Sequence, residues 1–143
     1  MNKRTHHHRH RQAGVMLLEA LVAILIFSLG VLSIIQLQAV SIKQASSAEY
    51  RSTAALLAND LISRMWASDK TATTLQTTFA SPSGTGYTQW LSSVQNSGLP
   101  NVTAKLQFAN GVTANVSQAT ITITWKAPGD TDSHNYTAVA QFR

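Results

Sequence analysis

Cysteine is absent from all 143 residues, which removes thiol catalysis, thiolate metal sites and disulfide staples together. Any small domain in this chain must therefore hold itself by packing and hydrogen bonding. Charge is also sparse, at 12% of residues, and it is unevenly placed: residues 20–42 contain no charged side chain at all. Residues 41–69 contain neither glycine nor proline. No Walker loop, dinucleotide fingerprint, Ser-His-Asp set or paired-carboxylate cleft is visible, so neither an enzyme nor a cofactor is expected. Basic residues with interleaved aromatics are too few for a nucleic-acid groove, and nucleic acid is not an expected partner.

The net charge of +5 needs locating before it is interpreted. Lys3, Arg4, Arg9 and Arg11 supply four of the eleven cations, while none of the six anions precedes Glu19. The rest of the chain is nearly neutral. A basic end followed by an apolar run orients a membrane segment with that end in the cytoplasm. His6, His7, His8 and His10 lie in the same stretch; they could bind a metal ion loosely, or form only a solvated cationic leader.

The uncharged run of residues 20–42 is 23 residues long. At the helical rise that is roughly 34 Å, enough to cross a hydrocarbon core of about 30 Å. A secretory signal would place a small-residue cut site after its apolar region, and that region would be shorter. Here the small residue, Gly14, comes first. A plain single-span anchor is the other reading. Glu19 sits at the mouth of the run, where a carboxylate is costly unless paired and is a functional candidate. It also suits the start of a helix through the macrodipole.

Past the span, Ala54, Leu57, Ala58, Leu61, Ile62 and Met65 recur at three- and four-residue steps, which predicts an amphipathic helix continuing to residue 69. Asp60 and Arg64 stand at i and i+4 on its polar side. Residues 70–87, rich in Thr and Ser with Pro82, Gly84 and Gly86, read as a loop anchored by Leu75 and Phe79. Residues 88–100 suggest a short helix with Trp90, Leu91 and Val94 on one face, closed by Gly98 and Pro100. Period-two alternation then predicts strands at 102–108, at 119–125 and at 136–142, with Asn110-Gly111 as a hairpin turn. Residues 112–116 offer a weaker start to the second strand. Asp130, Asp132 and His134 could ligate a hard cation or could serve the turn; no metal is assigned.

Two stretches carry a resemblance. Residues 14–19, GVMLLE, follow a basic leader and resemble the class III signal of type IV pilins and pseudopilins, with Val15 where the family usually has Phe. Residues 28–38 and 49–69 narrow it through Ser28, Gly30, Val31, Leu32, Leu37, Gln38, Tyr50, Arg51, Ser52, Leu57, Ala58, Asp60, Leu61, Arg64 and Met65. These resemble the minor pilins called PilV, the type IV pilus modification protein family; Ser63 stands where an acid is commoner. The resemblance covers residues 14–69 well and the rest weakly.

The resemblance implies cleavage by prepilin peptidase between Gly14 and Val15, N-methylation of Val15, and an assembly role for Glu19, which would neutralise the Val15 amine of a neighbouring subunit. It implies a pilin-like α+β fold: leader 1–14, transmembrane half-helix 15–42, amphipathic half-helix 43–69, and a head of loop, short helix and antiparallel sheet at 70–143. The head would lack the disulfide that major pilins often carry. Gly30 and Ser33 could loosen the helix in a fibre or allow close helix packing. The implied partners are other minor pilins, the major pilin, prepilin peptidase and the inner-membrane assembly platform. The implied location is the inner membrane, single-pass with a cytoplasmic N-terminus and periplasmic head, and then the pilus fibre at the cell surface. A minor pseudopilin of a type II secretion system shares signal and helix, and a membrane-anchored adhesin or binding module, using loops 70–87 and 128–135, is the reading from another class.

Overall fold

The structure, a computed structural model, describes residues 10–110 and 117–142. Its order is three helices followed by three strands: α1 His10–Ala67, α2 Ala72–Thr78, α3 Thr85–Gln95, β1 Thr103–Asn110, β2 Ser117–Trp125 and β3 His134–Phe142. This is an α+β layout with one long N-terminal helix and one small antiparallel sheet. The chain divides into two units, Met1–Gln44 and Ala45–Arg143.

In the first unit α1 is helical from His10, so residues 10–14 of the expected leader already have helical backbone. Every residue from 14 to 44 is exposed. The large apolar side chains here, from Val31 to Phe27, are 40% to 72% exposed among the described residues. Such a surface is far larger than the scattered apolar residues of a soluble monomer. The helix is long and apolar enough to cross a membrane. Two of its serines are internally satisfied: Ser28 Oγ donates to the Leu25 carbonyl at 2.8 Å and Ser33 Oγ to the Leu29 carbonyl at 2.9 Å. Internal satisfaction is what an apolar solvent demands of a hydroxyl.

In the second unit the absence of helix breakers lets α1 continue to Ala67. Ala54, Ala58, Leu61 and Met65 are fully buried, with Tyr50, Leu57 and Ile62 packed beside them. The four buried positions follow the three- and four-residue steps that put side chains on one helical face. Asp60 and Arg64 do meet, at 3.0 Å, but both side chains are about two-fifths exposed (42% and 40%). Such a pair contributes only about 0.3–0.5 kcal/mol.

The stretch 70–87 differs from the expected loop, because it contains α2 and the start of α3. Threonine-rich ATTLQTT is a poor helix by propensity alone. Two local facts override that. The Asp69 carboxylate accepts from the Thr71 backbone N–H at 3.0 Å and from Thr74 Oγ1 at 3.4 Å, holding the first turn. Leu75 is fully buried, so the turn is nailed to the core. Between α2 and α3 the chain doubles back tightly. A Cβ on Gly84 would lie 2.5 Å from both the Ala80 nitrogen and the Thr78 carbonyl oxygen, so only glycine fits there.

Helix α3 joins the layers. Tyr87, Trp90 and Val94 are buried, while Leu91 of the expected face is only half-buried. Trp90 Nε1 donates to the Leu57 carbonyl of α1 at 2.8 Å, and the Tyr87 hydroxyl donates to the Ala104 carbonyl of β1 at 2.8 Å. Beyond α3, Gly98 takes φ 82 and Asn101 φ 50, turning the chain into the sheet.

The sheet is a meander in the order β1-β2-β3. Strand β1 pairs with β2 from Thr103↔Thr124 to Asn110↔Ser117, and β2 with β3 from Ser117↔Phe142 to Trp125↔His134. Ala119, Ile121, Ile123 and Trp125 of the central strand are buried, as the alternation predicts. Leu106 is buried on β1, with Val102, Ala104 and Phe108 half-buried beside it. Gly111 of the expected hairpin turn and residues 112–116 lie outside the described residues. Pro128 and Gly129, the latter at φ 83, form the turn between β2 and β3, closed by the Asp130 N–H donating to the Ala127 carbonyl at 3.1 Å.

Candidate functional site

Gly14, Val15 and Glu19 all lie on α1 and all are exposed. Val15 and Glu19 are one helical turn apart, so they share a face. A Cβ built on Gly14 or Gly30 would meet nothing within 4 Å. Neither glycine is therefore required by packing among the described residues, although glycine in a helix costs about 1 kcal/mol against alanine.

Glu19 makes no hydrogen bond and no ion pair among the described residues. It stands alone in an apolar surface, between exposed Leu18 and Leu21 and followed by 23 residues without charge. In water such a carboxylate is unremarkable. Beside hydrocarbon it is costly until a cation meets it. The arrangement suits pairing with an ammonium or guanidinium group.

Most of the residues quoted from the 57–65 stretch fall into two sets, while Arg51 and Ser52 before them are exposed. Ala58, Leu61 and Met65 are core, with Leu57 packed against it. Asp60 and Arg64 form the exposed pair. The buried face of this part of α1 is thus explained by holding the second unit together.

The Asp130, Asp132 and His134 trio does not assemble. His134 Nε2 lies 2.8 Å from Asp130 Oδ2, while Asp132 accepts from Thr131 Oγ1 at 3.3 Å. No group of three His, Asp or Glu side chains that could hold a metal ion occurs among the described residues. His134 also stacks near Trp125, with ring centroids 6.0 Å apart, so the pair serves to pin the β2–β3 turn. The histidines of residues 6–8 lie outside the described residues, as does the side chain of His10.

Sequence reasoning did not find the exposed ring of Trp66, 47% accessible at the end of α1. Its centroid lies 5.1 Å from that of buried Phe142, and Lys70 Nζ lies 5.2 Å above it. The ring shields the end of the sheet. No known protein family, curated protein or solved structure matches this chain.

Proposed function

We propose that this chain is a minor type IV pilin of the PilV kind, a structural subunit rather than an enzyme. Prepilin peptidase cuts it between Gly14 and Val15 and methylates the Val15 amine, and the processed subunit helps to initiate pilus assembly at or near the fibre tip. The observation that carries this reading is Glu19: one exposed carboxylate, without a partner among the described residues, on an exposed apolar helix, one turn beyond the Gly14-Val15 junction. Gly14 supports it, since its missing side chain answers no packing demand among the described residues.

Cleavage would create a cation where none exists in the precursor, a free amine at Val15. A neighbouring subunit's Glu19 could then meet it inside the bilayer, and each charge would cancel the other's cost of leaving water. Because one such pair has a fixed position along the helix, it would also set the axial offset between neighbouring subunits. The second unit would stay in the periplasm and meet other minor pilins, with the inner-membrane platform driving insertion.

Fractionation tests the reading. Surface fibres sheared from cells are expected to contain the processed chain at a low ratio to the major subunit. If the chain stays wholly in the inner membrane of cells that carry abundant fibres, it is not a pilus subunit. Recovery with a type II secretion complex instead would move it to the pseudopilins.

A further inference from the structure

The two edges of the sheet are treated differently by the sequence. Strand β1 has α3 against it, a backbone carbonyl at Ala104 taken by the Tyr87 hydroxyl, and exposed Lys105 in mid-strand. A cover and a mid-strand lysine are two of the usual protections of a sheet edge. Strand β3 has no lysine, and among the described residues the Trp66 ring reaches only its last residue, Phe142. The strand runs nine residues, HNYTAVAQF, with no Lys, Arg, Asp, Glu or Pro. Apart from the ladder to β2, no backbone group of its residues 135–142 has a hydrogen-bond partner among the described residues. Phe142 at the end of β3 is fully buried, but burial fades along the rest of this edge. Ala119, Ile121 and Ile123 of β2 are fully buried, whereas Tyr136, Ala138 and Ala140 beside them on β3 are only half-buried.

We infer that β3 is a pairing edge and that its partner is β3 of a second copy of this chain, joined antiparallel about a two-fold axis at Ala138. The open edge fixes the class of partner, since a row of free backbone donors and acceptors is satisfied by another extended strand. The occupied β1 fixes the mode. A head-to-tail β3-to-β1 contact, which would propagate into a fibre of sheets, is obstructed at Ala104, and the remaining self-pairing is isologous and closes as a dimer.

The register about Ala138 suits the residues. It uses the whole strand, and it sets His134 opposite the partner's Phe142, Asn135 opposite Gln141, Tyr136 opposite Ala140, and Thr137 opposite Val139. Every pair is ring with ring, amide with amide, large with small, or two β-branched side chains. No like charges oppose, and such cross-strand pairs each add to sheet stability. The half-buried row of Tyr136, Ala138 and Ala140 would gain cover from its own copy. The inference does not rest on the role proposed for Glu19, since every residue in it belongs to the sheet unit.

The absence of cysteine makes the test clean. Full-length chain in detergent micelles carrying Ala138→Cys should form a disulfide-linked dimer under mild oxidation, because the paired Cα atoms on the axis would lie about 4.5–5.5 Å apart, within disulfide reach. Lys105→Cys on the other edge should not. Adding Thr137→Lys and Val139→Lys, both at exposed outer positions, places lysines directly opposite each other. It should abolish the Ala138→Cys cross-link while leaving the circular dichroism spectrum unchanged. Equal cross-linking of the two single-cysteine variants would overturn the inference. So would a cross-link that survives the double lysine change, which would place the contact elsewhere, such as along α1.

Discussion

With Glu19 replaced by alanine, the chain is expected to stay in the membrane fraction and to vanish from sheared surface fibres. The change removes the only charged group in an otherwise uncharged stretch of residues 15–42, so insertion becomes easier, if anything. What is lost is the anion that would neutralise a partner's amine. An amine entering hydrocarbon with no counter-ion carries a penalty of several kcal/mol, and a difference of about 4 kcal/mol is roughly a thousandfold in an assembly equilibrium. Immunoblots of fibre and membrane fractions measure both quantities in one experiment. Glu19→Asp should recover part of the fibre signal, because charge is kept and reach is shortened. If Glu19→Ala enters fibres at the level of the unaltered chain, the carboxylate is only a helix-start acid and the assembly role assigned to it is wrong.

The second large effect belongs to the core. Trp90→Ala is expected to destabilise the sheet-bearing unit by about 3–5 kcal/mol, the usual loss for a large buried aromatic. The side chain is fully buried, and its indole N–H is committed to Leu57 of α1. A domain this size has a total stability of only about 5–15 kcal/mol, and no disulfide is present to limit unfolding. Trp90→Phe separates packing from the hydrogen bond. It should cost less, because it keeps an aromatic ring, and because the Leu57 carbonyl still has a backbone partner in its own helix. Urea titration of full-length protein in micelles, followed by near-ultraviolet circular dichroism, gives both values. A loss below 1 kcal/mol for Trp90→Ala would mean that α3 does not tie the helix to the sheet.

How much of this was legible depended on whether the cause was local. The course of α1 could be read because nothing between residues 41 and 69 interrupts a helix, and its buried stripe because Ala54, Ala58, Leu61 and Met65 recur on one face. Strand β2 could be read because its Thr residues alternate with Ala119, Ile121, Ile123 and Trp125. Helix α2 could not, because its causes are the Asp69 carboxylate and the burial of Leu75, neither of which propensity contains. Helix α3 starts at Thr85, three residues before the start its periodicity predicts, since the glycines at 84 and 86 signal a loop until the close approach of Gly84 to residues 78 and 80 is seen. Of the candidate site, the residues were legible and the partner was not. Glu19 stands out in the sequence as a lone charge, and the chain offers it nothing to pair with among the described residues. The Asp130 and His134 contact shows the opposite case, in which spacing suggested a cation site and the side chains instead satisfy each other.

The account turns on the junction at Gly14-Val15, and intact mass tests it directly. The protein extracted from membranes of cells containing prepilin peptidase should lack residues 1–14 and carry one added methyl on Val15, while cells without the peptidase should yield the uncut chain. Uncut protein in peptidase-containing cells would contradict the account and leave a single-span membrane anchor bearing a small sheet domain.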